Sequence, residues 1–195
     1  MKAVLVHVDE QDLDRRRKLG LDHWDEMWEG VLHMSPAPSF EHQRIQKEIL
    51  VFLDALVKRK KRGTIAVAVN VFGKGASQEN YRVPDLVFVA AGRESVIAED
   101  GIRGGPDAVI EIRSPDDETY EKLPFFAVLG VREVIVVGRD SKKPEVFRLA
   151  GSQYVAVAAD RDGMITSEVL GVRFGCSAGK LILEDAEDPG TSVRI

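Results

Sequence analysis

The stretch Pro84-Asp85-Leu86-Val87-Phe88-Val89 decides the fold, because one carboxylate opens a run of four apolar residues. Successive side chains in a strand point to opposite faces, so a continuous apolar run predicts a central strand that is covered on both sides. A carboxylate at the mouth of such a strand needs a partner, because an unpaired buried charge is costly. Asp85 is therefore a candidate functional residue at one end of a buried sheet.

A second carboxylate lies inside another apolar stretch, Val109-Ile110-Glu111-Ile112-Arg113. The two-residue period of a strand places Val109, Glu111 and Arg113 on the same face. If this strand pairs with that of Asp85, the two carboxylates lie about 5 Å apart across the ladder. Two such groups without cations raise one pKa or require a metal. Oxygen ligands with open positions for water suit Mg²⁺ or Mn²⁺ better than zinc.

A lysine completes this constellation. Ser114-Pro115 follows the strand, and Lys122 begins a short helix from which its side chain can reach back toward the strand ends. An ammonium group there can orient or deprotonate a water molecule, or neutralise charge that develops on a phosphate. Aspartate, glutamate, lysine and a hard divalent cation together are typical of metal-assisted phosphodiester hydrolysis.

The pattern around these residues predicts one α/β domain over residues 1–195, with residues 1–25 as an N-terminal extension and residues 144–195 as its β-rich C-terminal part. Apolar residues recur at helical spacing between Phe40 and Arg62, with Ser39 as the N-cap and Gly63 as the stop. A shorter helix is predicted from about Tyr120 or Lys122 to Leu129, with Pro124 in its first turn. Loops are predicted at Gly73–Gly75 and Gly101–Pro106. The predicted strands are Met27–Met34, Thr64–Phe72, Asp85–Ala91, Asp107–Ile112, Glu133–Val137, Glu145–Leu149, Tyr154–Ala158 and Ile165–Leu170.

Composition excludes several classes of protein. Of the 195 residues, 44% are hydrophobic and 30% charged, a globular balance that argues against disorder. The net charge of −5 argues against a coat that holds DNA by electrostatics alone. A single cysteine, Cys176, excludes an internal disulfide framework and a multi-cysteine zinc site. The apolar runs are too short to cross a bilayer, and residues 1–9 have no complete signal core, so a cytoplasmic location is expected.

The run Lys58-Arg59-Lys60-Lys61-Arg62 has two interpretations. Five successive cations create a local positive field that attracts DNA. The same residues close the predicted long helix, where cations complement the helix dipole and remain hydrated. The second interpretation is favoured, and Arg15-Arg16-Arg17-Lys18 has the same ambiguity.

Several segments together resemble one family. Pro84-Asp85, Glu111–Pro115, Tyr120–Phe126 and Leu129–Glu133 resemble the Uma-type putative restriction endonuclease family, a bacterial family of unknown function within the PD-(D/E)xK nuclease superfamily. The resemblance extends over nearly the whole chain, through Glu29–Pro36, His42 and Val169–Gly171. It implies a restriction-endonuclease-like fold, which is a mixed β-sheet flanked by helices, with additional C-terminal β-strands.

The resemblance also implies roles. Asp85 and Glu111 are expected to be metal ligands for Mg²⁺ or Mn²⁺, with Glu29 as an additional acidic ligand by its position. In the superfamily pattern the catalytic lysine stands two residues after the acid, where this chain has Arg113. The resemblance implies that in the Uma-type family the catalytic lysine stands on the following helix, and Lys122 matches that position. Arg113 is expected to steady the phosphate, because a guanidinium group does not deprotonate.

Two functional hypotheses follow from these expectations. The first is a divalent-metal-dependent endonuclease that hydrolyses DNA and works as a homodimer, with one site for each strand. The second is a catalytically inactive nuclease fold that binds nucleic acid or a protein partner, which the acidic balance and Arg113 favour. Structural alternatives exist for the three central residues: a turn hydrogen bond for Asp85, an ion pair for Glu111 and a solvated helix start for Lys122.

Overall fold

The long helix lies between two β-sheets in the computed structural model, which describes residues 3–5, 9–75 and 79–195. The described helices are α1 (Glu10–Lys18), α2 (Phe40–Lys60) and α3 (Leu123–Val128), and single 3₁₀ turns cover Glu94–Val96 and Tyr120–Lys122. The described strands are β1 (Ala3–Leu5), β2 (Asp25–Trp28), β3 (Val31–Met34), β4 (Gly63–Val67), β5 (Val71–Phe72), β6 (Tyr81–Arg82), β7 (Leu86–Ala90), β8 (Ile97–Ala98), β9 (Gly101–Arg103), β10 (Ala108–Arg113), β11 (Glu133–Gly138), β12 (Pro144–Ala150), β13 (Gln153–Ala156), β14 (Ile165–Ser167), β15 (Val172–Ser177), β16 (Lys180–Asp185) and β17 (Ser192–Arg194).

The central sheet has the strand order β13-β12-β11-β10-β7-β4. β10 runs parallel to β11 and antiparallel to β7, so the sheet is mixed, as predicted. α2 covers one face, where Ile45, Ile49 and Leu53 pack with Phe88 and Ile110. α3 covers the other face through Phe126, which packs with residues of β7, β10 and β11. The strands of Asp85 and Glu111 therefore lie side by side beneath helices on both faces.

α2 begins and ends close to where the sequence predicts. The Ser39 side chain accepts a hydrogen bond from the His42 backbone N–H at 3.3 Å, which caps the first turn. The helix ends at Lys60, because Lys61 has a left-handed backbone with a φ of 53°. The buried side is the predicted apolar stripe, which holds the helix against the central sheet.

The basic run at the end of α2 forms ion pairs. Asp185 of β16 is fully buried and accepts hydrogen bonds from Lys60 at 2.6 Å and Arg59 at 2.9 Å. Lys58 pairs with Asp54 one helical turn earlier, at 2.7 Å. The contacts of Arg59 and Lys60 with Asp185 fix α2 to the C-terminal sheet, whose order is β14-β15-β16-β17. They favour the structural interpretation of the run over a DNA-binding one.

Two of the predicted strands are divided. Met27–Met34 belongs to a hairpin of β2 and β3, because Glu29 and Gly30 have φ values of 51° and 84° and form a two-residue turn. Thr64–Phe72 breaks at Ala68, where φ is 49°, and β5 then joins a second sheet of order β1-β3-β2-β6-β5-β9-β8. The loop predicted at Gly101–Pro106 begins with β9, which adds a short strand to that second sheet.

Other elements have no counterpart in the sequence prediction. α1 lies within the predicted N-terminal extension, but it buries none of its residues and has no apolar stripe. The predicted strand Ile165–Leu170 ends at Ser167, and β15, β16 and β17 complete the C-terminal sheet. The expectation about a signal segment falls partly on residues 1–2 and 6–8, which lie outside the described residues. None of the described helices combines the length and the apolar character needed to cross a membrane.

Candidate active site

Asp85 lies where β7 and β10 separate. The last pair of their ladder is Leu86 with Ile110, and Asp85 is the next residue outward. Its Oδ2 accepts a hydrogen bond from the Ile112 backbone N–H at 2.6 Å. The carboxylate thus satisfies a donor that the diverging strand leaves without a partner, which explains why the chain tolerates a charge beside a buried ladder.

α2 fixes Asp85 from the other side. His42 and Gln46 are four residues apart and lie on the same face of the helix. His42 Nε2 donates to Asp85 Oδ1 at 2.8 Å, and Gln46 Nε2 donates to the Asp85 carbonyl oxygen at 2.8 Å. His42, which the family resemblance covers, therefore contacts the predicted metal ligand directly.

Glu111 and Lys122 form the buried centre of the site. Glu111 is 4% exposed, and Lys122 Nζ lies 3.2 Å from its Oε1. The lysine belongs to the 3₁₀ turn before α3, so the packing of that helix brings it over β10. The sequence-predicted trio of Asp85, Glu111 and Lys122 is therefore brought together in one region.

Burial dominates the electrostatics of this pair. The pKa of Glu111 is raised to about 8, mainly by desolvation and also by the carboxylates of Asp85 and Glu26, while Lys122 lowers it. Burial disfavours the ammonium form of Lys122, but Glu111 and Glu26 outweigh this effect and raise the lysine pKa. Lys122 is consequently a cation at neutral pH, with Glu26 and Glu111 in direct contact with its ammonium group.

The third carboxylate of the site comes from Glu26 and not from the predicted Glu29. Glu26 Oε1 accepts hydrogen bonds from Lys122 Nζ at 2.8 Å and from the Val83 backbone N–H at 2.9 Å. Its Oε2 accepts from Trp28 Nε1 at 2.8 Å. Glu29 lies exposed in the turn between β2 and β3, because its positive φ belongs to that turn. Recognising Glu29-Gly30 as a two-residue turn would have pointed to Glu26 inside the strand.

Arg113 lies at the exposed rim and not in the buried cluster. Its guanidinium carbon is 5.0 Å from the centre of the Tyr120 ring, a cation–π distance. The side chain ends β10 two residues beyond Glu111, on the side where Lys122 reaches the strand. This placement suits contact with a large external substrate better than contact with a buried ion.

The donor set fits a hard divalent cation by type. Glu26, Asp85 and Glu111 supply carboxylate oxygens, which are the ligands that such ions prefer. Within the described part of the chain, no group of three or more His, Cys, Asp or Glu side chains is arranged to hold a metal ion. Lys122 Nζ occupies the space between Glu26 and Glu111, where it balances charge that an ion would otherwise balance.

The chain is similar to known proteins at the level of family and fold. The model of the Uma2 family, described as putative restriction endonuclease, matches residues 20–179. The crystal structure of a putative nuclease from Anabaena variabilis ATCC 29413 matches with a TM-score of 0.58 and 20% identity, over 75% of this chain and 82% of that chain. No curated protein matches. The likeness in structure confirms the expected fold, a mixed sheet flanked by helices with additional C-terminal strands.

Proposed function

The chain belongs to the Uma2 putative restriction endonuclease family, and we propose that it is a divalent-metal-dependent endonuclease that hydrolyses phosphodiester bonds of DNA. The observation that carries the proposal is the buried ammonium of Lys122, which lies 2.8 Å from Glu26 and 3.2 Å from Glu111. The Asp85 carboxylate is close enough to raise the pKa of both Glu111 and Lys122. Several carboxylates at the end of a sheet suit a divalent cation, and a bound cation in turn suits an anionic substrate.

Asp85 and Glu111 are the proposed ligands of Mg²⁺ or Mn²⁺, with Glu26 as the carboxylate nearest to Lys122. When bound, such an ion supplies charge stabilisation for the phosphate and lowers the pKa of a water molecule. The chain's own contribution is to fix the ligands. His42 and the Ile112 backbone N–H hold both oxygens of Asp85, and β10 holds Glu111.

Lys122 is proposed to position the attacking water or a phosphate oxygen. Hydrolysis forms a bond between a water oxygen and phosphorus and breaks the bond from phosphorus to one sugar oxygen. The attacking water loses a proton to solvent, and the departing sugar oxygen takes up a proton from solvent. Since the raised pKa of Lys122 keeps it protonated at neutral pH, it donates hydrogen bonds and does not accept the proton of the water. Stabilisation of the negative charge that accumulates on the phosphate is the second part of this role.

Two exposed side chains near the cluster are proposed to contact DNA. Arg113 extends from the end of β10 and suits a phosphate group. Phe40 is 84% exposed at the first position of α2, two residues before His42. Exposed aromatic rings stack on nucleic acid bases. Because the chain is acidic overall, such local contacts matter more than a general electrostatic attraction.

A second candidate function is a catalytically inactive binding or regulatory module with the same fold. It is favoured by the hydrogen bonds that Glu26 and Lys122 already make, because an internally satisfied ion cluster needs no metal. Titration calorimetry with Mn²⁺ separates the two functions. Absence of binding up to about 10 mM would support the inactive module, since a nuclease of this type needs the ion to offset carboxylate repulsion.

The activity itself is tested by nicking of supercoiled plasmid DNA with Mg²⁺, with Mn²⁺ and with EDTA. The wild-type chain is expected to nick only with metal, and Glu111→Gln is expected to abolish nicking. Asp185→Asn is the matched control, because Asp185 is a buried, ion-paired carboxylate at the opposite end of α2. Equal nicking by wild type and Glu111→Gln would contradict the proposal.

The proposed homodimer, with one site for each DNA strand, is tested by sedimentation with and without DNA.

A further inference from the structure

Arg82 is a buried arginine whose guanidinium lies between two aromatic rings. Its side chain is 5% exposed, and its guanidinium carbon is 4.1 Å from the centre of the Trp28 ring and 4.2 Å from that of Phe125. Nη1 donates to the Met27 carbonyl oxygen at 2.8 Å. Nε is buried without a hydrogen-bond partner among the described residues. A buried cation whose hydrogen bonds go to carbonyl oxygens destabilises the fold. A functional role would explain why an arginine occupies this position.

The three layers of this sandwich come from the three segments that carry the site. Trp28 is two residues after Glu26 in β2 and donates a hydrogen bond to it. Arg82 is three residues before Asp85, and Phe125 is three residues after Lys122. The sandwich therefore joins β2, the approach to β7 and the start of α3 at one point.

A second contact ties the same segments together on the side of the site. The Val83 backbone N–H, directly after Arg82, donates to Glu26 Oε1 at 2.9 Å. The same oxygen accepts from Lys122 Nζ at 2.8 Å. A shift of Arg82 relative to Trp28 or Phe125 thus changes the spacing of Glu26, Asp85 and Lys122.

We infer that Arg82 is a positioning residue: clamped between Trp28 and Phe125, it sets the relative placement of Glu26, Asp85 and Lys122. This role rests on the proposed nuclease function. Arginine suits it because the guanidinium is flat, weakly hydrated and able to stack on both faces, whereas the lysine ammonium is a compact and strongly hydrated charge. A displacement of about 1 Å at a catalytic group lowers the rate by up to about 100-fold, so a clamp of this kind matters for turnover.

The test compares Arg82→Lys and Arg82→Met with the wild type and with Arg148→Met. Arg148 is a useful control, because it pairs with the buried Glu133 at 2.8 Å across β11 and β12 and stabilises the fold without contacting the site. Both Arg82 variants are expected to lower kcat for plasmid nicking by at least about tenfold while changing KM for DNA less than about twofold. Arg148→Met is expected to lower thermal stability and to keep the kcat of the folded protein. An unchanged kcat in Arg82→Met, or an equal loss in Arg148→Met, would overturn the inference.

A second readout does not depend on cleavage. Hydrogen exchange of the Val83 amide reports its bond to Glu26, and exchange there is expected to accelerate in Arg82→Met but not in Arg148→Met. Unchanged exchange in Arg82→Met would overturn the clamp even if nicking fell. If Arg82→Met does not fold, Phe125→Leu removes one face of the sandwich and must show the same two effects in weaker form. If the wild type binds metal but never nicks DNA, the proposed function fails, and the exchange comparison still decides whether the clamp exists.

Discussion

Asp85 Oδ2 and the Ile112 backbone N–H form a 2.6 Å hydrogen bond at the point where two central strands separate. The carboxylate therefore has two roles: it completes the hydrogen bonding of β10, and it presents charge to the cluster formed by Glu111 and Lys122. Substitutions at Asp85 can separate these roles, because asparagine keeps an acceptor oxygen and loses the charge.

Asp85→Asn is expected to fold with nearly wild-type stability and to lose plasmid nicking by at least about 100-fold, because the proposed metal loses a charged ligand. Asp85→Ala is expected to lose nicking and also to lower the free energy of unfolding by about 1–3 kcal/mol, because the Ile112 amide is then left unsatisfied. Thermal and urea unfolding measure the second effect. Equal stability of the two variants would contradict the proposed role in the ladder.

Metal affinity is expected to increase with pH between about 6 and 9. Burial raises the pKa of Glu111 to about 8 in the metal-free protein, so at pH 6 this carboxyl carries a proton that a cation must displace. Above about pH 9 the group is already ionised, and the affinity for Mn²⁺ levels off. Calorimetry in buffers of different ionisation enthalpy measures the proton release. Glu111→Gln is expected to bind weakly at every pH, and a flat pH profile for the wild type would exclude Glu111 as a ligand.

Lys122→Met is expected to bind Mn²⁺ more tightly than the wild type while losing nicking. The ammonium lies between Glu26 and Glu111 and repels a divalent cation, so its removal strengthens metal binding by about tenfold. Cleavage falls because no donor then positions water or phosphate. Lys60→Met, at the far end of α2, is the control for loss of a paired lysine. Weaker metal binding in Lys122→Met would contradict the competition between ammonium and ion.

Phe40→Ala is expected to weaken DNA binding by at least about threefold and to leave the melting temperature unchanged, because the ring is exposed and its stacking energy comes from the bases. Fluorescence anisotropy with labelled DNA in Ca²⁺ measures binding without cleavage. Val155→Ala removes another exposed apolar side chain, on the edge strand β13, and serves as the control. An equal effect of both variants would mean that Phe40 makes no specific contact.

The strand of Asp85 and that of Glu111 were predictable from sequence, because an apolar run interrupted by one carboxylate leaves few other placements. Their pairing entered the sequence argument only as a condition, and in the structure β7 and β10 do pair. Lys122 was predictable through the family resemblance and not through spacing alone. These predictions concern buried positions, where the pattern of apolar residues constrains the fold most strongly.

Glu26 and α1 show where the sequence was insufficient. Glu26 and Glu29 lie three residues apart, and the positive φ values of Glu29 and Gly30 place Glu29 in the turn and leave Glu26 in the strand. α1 contains no buried residue, so the periodicity that revealed α2 has no counterpart there. In both places the structure depends on local backbone conformation, and the pattern of apolar residues carries little information about that conformation.

The lysine of this site is carried by a different segment from the acid it contacts. Lys122 stands on a single helical turn that precedes the six-residue α3, while Glu111 belongs to a central strand. An acid and a lysine on one strand would move only together. Here a rotation of α3 would separate them and leave the sheet intact, but the contact of Phe125 with Arg82 and the buried ring of Phe126 oppose that rotation, so the same clamp that joins the segments also keeps the pair assembled.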